Sequence, residues 1–291
     1  MKSYLDNLSE NLGNICNELA DFLSTLEIKE FINDSDSGIV IMFPQFYYSS
    51  ETNNEQKKIQ FKLKTLFNEW IEHFLLLFKD APDITNNEIK ATIKYIKCKI
   101  ELESDWGLSD DPKKNIKRIK EEFQKFQNLL CIHHSQPSHN LIIPDTNSLI
   151  ICPEFSGYRD ILNIETPTII LLPTVLSELD KLKVEHKNPD CREKAKSVIK
   201  RIKGLRNQGD LLSGVTFDKN ICIKAIAKEP NFSRTLDWID KENNDDRIIA
   251  SILEIQRFYP SDITILVSAD INLQNKATLA KIPFLEPPIL E

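Results

Sequence analysis

Glycine is scarce in this chain, with 7 among 291 residues. No G-x-x-x-x-G-K-S/T loop is present to cradle nucleotide phosphates on its backbone amides, so nucleotide hydrolysis on such a loop is not supported. Long apolar runs are missing too: none approaches the ~18 residues that span a bilayer. The opening stretch MKSYLDNLSENLGN has neither a basic n-region nor an apolar h-region. These absences lead to the expectation of a cytoplasmic protein with no membrane partner. The six cysteines, Cys16, Cys98, Cys131, Cys152, Cys191 and Cys222, lie far apart, without a C-x-x-C pair or a Cys/His ligand spacing. They read as reduced, mostly buried thiols rather than a zinc site or a disulfide framework. Basic charge is in deficit, 37 Lys+Arg against 44 Asp+Glu for a net charge of -7, which argues against coating nucleic acid by bulk electrostatics. Local basic patches remain open, and residues 141–291, with 20 basic against 22 acidic side chains, are closer to neutral than residues 1–140, with 17 against 22.

The hydrophobic share of 41% and charged share of 28% are those of an ordinary globular protein. Since domains usually hold roughly 100 to 200 residues, two are expected. The stretch NLLCIHHSQPSHN, Asn128 to Asn140, passes from a helical pattern into a polar segment with Pro137 and then into an apolar run, placing the boundary at 132–140. Without a fourth ligand at defined spacing, His133, His134 and His139 read as a solvated linker rather than a metal centre.

Residues 1–135 read as mainly helical, or α+β. Leu5, Leu8, Leu12, Ile15, Leu19, Phe22 and Leu26 recur at spacings of three and four, one stripe of a helix. A second helix covers 55–79, rich in Leu and Phe and carrying Trp70, and a third starts near Pro112, a favourable first-turn residue. Segments 38–48 (GIVIMFPQFYY) and 96–102 (IKCKIEL) read as strands. No chemical motif is visible here, and an interaction or regulatory module is the expectation.

From Leu141 onward the character changes to strands alternating with helices. Strands are expected at 141–143, 168–172, 221–227 and 264–267, and helices at 174–183, 190–206, 246–259 and 272–281. Such alternation calls for a parallel sheet covered on both faces, an α/β/α arrangement with function at the carboxyl ends of the strands. Acidic residues fall there. Asp145 follows the first strand in LIIPDTNSLI and Asp270 follows another in TILVSADINLQNKA. Glu178, within PTVLSELDKLK, lies three residues from Val175 and four from Leu182, on the flank of a buried stripe where a carboxylate is costly unless compensated. The Asp245–Asp246 pair opens the helix NNDDRIIASILEI. Acidic groups gathered at one sheet edge repel without a cation, and oxygen-only ligands suit Mg²⁺ or Mn²⁺. Taken singly, Asp145, Asp246 and Asp270 are each most simply helix caps; mid-helix Glu178 is not. The helix DCREKAKSVIKRIKGLR adds Arg192, Lys194, Lys196, Lys200, Arg201, Lys203 and Arg206, with Arg192, Lys196, Lys200 and Arg206 the leading candidates for phosphate-backbone contact; a solvated helix surface is the simpler reading of any one of them.

In these residues the sequence resembles the PIN domain family. The motifs PDTNSL, VLSELDKL, NDDRIIA and VSADINLQNKA match its pattern in order over about 150 residues, Leu141 to Leu290. The resemblance implies a metal-dependent nuclease with RNA as substrate, Mg²⁺ or Mn²⁺ as cofactor, and Asp145, Glu178, Asp246 and Asp270 as the acidic, catalytic set. Asn147 and Ser268 match auxiliary polar positions. The choice of Asp246 rests on alignment with D-x-I-I-A; Asp245, three residues before Ile248 and four before Ile249, is the reserve. The basic helix after ELDKLK is similar to larger members rather than compact toxins. Ala269 departs from a position that is often acidic or polar. The implied organisation is a helix-rich interaction domain over 1–135, reaching a protein partner or a second copy of the chain, a linker over 136–140, and a PIN-like nuclease domain over 141–291. Two other readings stay open: an inactive PIN fold used as an RNA-binding or assembly module, and another α/β fold with an acidic edge, such as a receiver or a phosphatase.

Overall fold

A computed structural model describes residues 1–31, 45–103, 107–134, 139–162, 166–218 and 220–288. The chain divides into two compact units, one of residues Asp6–His133 and one of Met1–Leu5 with His134–Glu291. No helix among the described residues is long and apolar enough to cross a membrane.

The helical unit is built from α1 (Tyr4–Ser24), β1 (Ile28–Glu30), β2 (Phe46–Tyr48), α2 (Asn54–Phe78), α3 (Asp83–Glu101) and α4 (Pro112–Ile132). Caps fix several helix ends. Asn53 and Gln56 form a reciprocal capping box before α2, and Asp111 accepts from the Lys113 amide ahead of Pro112. The stripe of leucines on α1 is buried, and an aromatic core fills the centre: Trp70 stacks on Phe74 at 4.7 Å and meets Phe126 at 5.1 Å. The indole Nε1 donates to the Leu8 carbonyl at 2.9 Å, so burying this ring leaves no polar atom unpaired. The segment 96–102, expected as a strand, is instead the last turn and a half of α3 with Leu102 as its left-handed cap. Its short alternation IKCKIEL is outvoted by Ile89, Thr92, Ile96 and Ile100, buried at helical spacing along one face. Within the expected strand 38–48, Phe46–Tyr48 forms a strand that pairs antiparallel with β1; residues 38–44 lie outside the described residues, as do 136–138 of the expected linker.

The second unit runs β3 (Asn140–Pro144), α5 (Thr146–Ile151), α6 (Gly157–Leu162), β4 (Pro167–Leu171), α7 (Pro173–Glu185), α8 (Pro189–Arg206), β5 (Val215–Phe217), β6 (Ile221–Ala225), α9 (Asn244–Phe258), β7 (Ile263–Val267), α10 (Ile271–Leu279) and β8 (Phe284–Leu285). Six strands form one sheet in the order β5-β6-β4-β3-β7-β8. All pairings are parallel except β5 with β6, an antiparallel rim that the expected parallel sheet did not include. Consecutive residues Leu141–Pro144 and Thr264–Val267 are buried, which a strand shows when helices cover both its faces. The basic helix α8 contributes Ala195, Val198, Ile202 and Leu205 to that cover, each large side chain worth roughly 1.5–3 kcal/mol when fully removed from water.

Candidate active site

The site starts from the register of the two central strands. β3 and β7 pair in parallel from Asn140↔Ile263 to Pro144↔Val267, so the residues just beyond their carboxyl ends emerge side by side. Asp145 and Ser268 are those residues. The Asp145 amide donates to the Val267 carbonyl at 3.0 Å, continuing the ladder one step past the strand. The Asp145 carboxylate is almost wholly buried and held at both oxygens: Oδ1 accepts from the Ser148 amide at 2.6 Å, and Oδ2 accepts from Ser268 Oγ at 2.5 Å. Ser268 Oγ in turn accepts from the Asp270 amide at 3.0 Å, one hydroxyl bridging the two strand-end acids. Asp270 then caps α10, accepting from the amides of Asn272 and Leu273. Burial pushes the Asp145 carboxyl above the ordinary range; bonds from Ser268 and Ser148 pull it back, and the negative charge of Asp270 adds to the rise.

Two further carboxylates arrive on helices. Pro173 sets the first turn of α7, and five residues on Glu178 accepts from Thr146 Oγ1 at one oxygen and from Asn244 Nδ2, at 2.6 Å, at the other. Asn243 caps α9 through the amides of Asp245 and Asp246, bringing both acids into the first helical turn. Together, Asp145, Thr146, Asn147, Glu178, Lys181 and Asp270 line an open cleft of about 340 Å³, and Asp245, Leu182, Ile248 and Leu273 complete it. Asp246 is not among the lining residues. It is buried: its Oδ2 accepts from the Asp240 amide at 2.9 Å, and Lys276 Nζ lies 2.8 Å from its Oδ1. Asp245, the reserve in the sequence reading, is the member of the pair that lines the cleft. The reason is helical: the neighbouring position is turned by 100° and points into the α9–α10 contact.

Residues 142–286 match the PIN domain family. Through that half, the chain is a member of the PIN domain family. The chain also aligns with Transcriptional protein SWT1 of Homo sapiens, 27% identical over 164 residues, which is 52% of this chain and 17% of that protein. The chain thus spans about a sixth of the length of this curated relative. PIN domains are in general nucleases, and a nuclease or RNA-related role is the level at which the family speaks for this chain.

Sequence reading missed several residues that the PIN fold brings to the cleft. Thr146 and Asn244 clasp Glu178 from either side, and Lys181 is the one basic residue in the lining among the described residues. Lys276 lies inside the quoted K-A motif, yet its partners are 30 and more residues upstream, beyond what spacing can signal. Burial works against its charge, but the hydrogen bond to Asp246 and the fields of Asp245 and Asp246 outweigh that and hold it above the usual lysine range. Asn147 lies in the lining and Ser268 beneath it. The candidate phosphate-contacting residues of α8 stand apart from the lining. Arg192 is turned to the carbonyls of His186 and Lys187, and Lys196 pairs with Glu193 at 2.7 Å, while Lys200 and Arg206 are exposed.

Proposed function

We propose that the PIN half is a divalent-cation-dependent ribonuclease that hydrolyses phosphodiester bonds of single-stranded or structured RNA, with Asp145, Glu178, Asp270 and the Asp245–Asp246 pair as its acidic set. One observation carries the reading: carboxylates from β3, α7, α9 and β7–α10, remote in sequence, open on one cleft at the carboxyl edge of the sheet. All donors are oxygen, the chemistry of Mg²⁺ or Mn²⁺. Mg²⁺ and Mn²⁺ commonly keep several waters and are bound through one or two carboxylates together with substrate phosphate; among the described residues, no group of three or more His, Cys, Asp or Glu is placed to hold a metal ion. A bound cation supplies a Lewis acid for phosphate oxygens and a more acidic water.

The protein's part is placement. Ser148 and Ser268 hold the Asp145 carboxylate at the floor, and Thr146 with Asn244 hold Glu178 at the wall with lone pairs to spare for orienting or deprotonating the attacking water. Lys181 offers the entering strand its ammonium, and Lys200 and Arg206 lie on α8 for the outlying backbone. The helical unit recruits or restrains the nuclease through a protein partner or a second copy. A cytoplasmic setting is in keeping with six free thiols. The name of the human relative ties that protein to transcription, which fits a substrate among transcripts.

The test is cleavage of a mixed-sequence RNA by wild type and Asp145→Asn, with Mn²⁺ and with chelator. Wild type with Mn²⁺ is expected to cut, and the variant and the chelated enzyme to be silent. A variant as active as wild type refutes the assignment, and RNA that is bound but never cut marks the fold as a binding module.

A further inference from the structure

The pattern K-x-x-I-K-x-I-K occurs twice in the helical unit, as KATIKYIK from Lys90 to Lys97 on α3 and as KKNIKRIK from Lys113 to Lys120 on α4. Spacings of four and three put the three lysines of each copy on one stripe of its helix, and all six are exposed. The inward positions match as well: Thr92 and Ile96 are buried on α3, Asn115 and Ile119 on α4. Each stripe lines a groove. Lys90, Lys94 and Lys97 flank Ile93 in one of about 360 Å³, and Lys113, Lys117 and Lys120 flank Ile116 in one of about 460 Å³. These sixteen residues hold eight of the 17 basic side chains of residues 1–140 and none of the 22 acidic ones. Other lysines of α2 and α4 are neutralised, since Lys58, Lys62, Lys64 and Lys125 each meet a glutamate at 2.7–3.0 Å. Of the six stripe lysines, Lys117 alone pairs with a carboxylate among the described residues, at 3.9 Å from Glu121. The other acids at the grooves have partners: Glu101 pairs with Lys64, and Glu103 accepts from the Cys98 thiol.

We propose that the two lysine stripes form an RNA-backbone binding surface, so that the helical unit itself holds RNA. Like charges at helical spacing destabilise one another, and a polyanion relieves that cost while releasing its condensed counterions. An acidic protein offers carboxylates at separate points. Rows of three lysines, each about 10 Å long at 1.5 Å per residue, suit a chain that carries a charge on every unit. Such contacts position a strand without reading its sequence. The choice of RNA as the polyanion rests on the nuclease reading above. Both units belong to one chain, so RNA held on the helices stays at raised local concentration for the cleft.

The test uses the full chain and a fluorescein-labelled, mixed-sequence single-stranded RNA, with anisotropy read in chelator over a series of salt concentrations. Lys90→Gln/Lys94→Gln/Lys97→Gln and Lys113→Gln/Lys117→Gln/Lys120→Gln are each expected to weaken binding about tenfold. Each should also lower the slope of log affinity against log salt by about 2, three phosphate contacts at roughly 0.7 each. Lys58→Gln/Lys62→Gln/Lys125→Gln takes the same charge from paired lysines and should stay within about twofold of wild type. Arginine at the six stripe positions should retain binding, and thermal melting should stay near that of wild type, as for exposed side chains. With Mn²⁺ added, the two stripe variants should raise KM for the same RNA about tenfold at unchanged kcat. Stripe variants that bind within about twofold of wild type overturn the proposal, as does a paired-lysine control that weakens as much as they do. A wild type that binds this RNA through the stripes yet never cuts it sinks the nuclease reading and leaves the surface standing; one that cuts while the stripe variants match it in binding and KM sinks the surface alone.

Discussion

Ser268→Ala removes one oxygen and disturbs two acids at once. The hydroxyl is fully buried, donates to Asp145 Oδ2 and accepts from the Asp270 amide. A hydrogen bond to a charged group is worth about 1.5–3 kcal/mol, and a buried amide left without its acceptor costs about 1–3 kcal/mol. Water cannot enter to replace them at a position with no exposure, so a destabilisation of about 3 kcal/mol is expected for the metal-free chain. For a unit of this size that is about 6–12 °C in melting temperature. The measurement is thermal unfolding followed by circular dichroism in chelator, wild type against variant.

The pH dependence gives a second reading of the same bond. Asp145 has its folded carboxyl raised above the ordinary value, so its protonated form is favoured by folding; that contribution is full at low pH and is lost as pH rises through the raised value. The Ser268 hydroxyl opposes the rise, so its removal moves the loss to higher pH and should shift the acid limb of Mn²⁺ binding the same way, since the ligand must be deprotonated. A variant that melts within 1 °C of wild type and keeps its pH profile would refute the claim that this hydroxyl holds the floor of the cleft.

Two other outcomes are open to direct measurement. Glu178→Gln should abolish RNA cleavage, about 10²-fold or more, yet melt at or above the wild-type temperature without metal, because one of several crowded negative charges is gone; a lower melting temperature counts against the crowding. Lys181→Met should raise KM for RNA with kcat unchanged and reduce the slope of log affinity against log salt by about 1, and an unchanged slope removes Lys181 from the phosphate path.

Much of the PIN half could be read directly from the chain because its strands are short apolar runs bounded by helix starters. LIIPD and TILVSAD each combine a buried strand with a capping acid, and pairing at one parallel edge follows from alternation with helices. What escaped was decided by contacts remote in sequence. β5 and β8 hold three and two residues, too few to carry a period, and β5 runs antiparallel because a short turn returns it along β6. In α3, the alternation of IKCKIEL imitates a strand until Ile89 and Thr92 are added. The Asp245–Asp246 pair meets its partner Lys276 on another helix, 30 and 31 residues away in sequence. Thr146 and Asn244 stand at helix starts, and their meeting at Glu178 comes from segments remote in sequence.

The brevity of the outer strands has a consequence for life in a crowded solution. A sheet rim is an invitation to a neighbouring chain, whose backbone can extend the ladder. Here the two rims offer three residues on one side and two on the other, while the five-residue apolar strands that would make better templates for stacking lie at the middle. A stranger docking at either border would gain a handful of amide contacts before running out of partner, which favours separate molecules over fibrils.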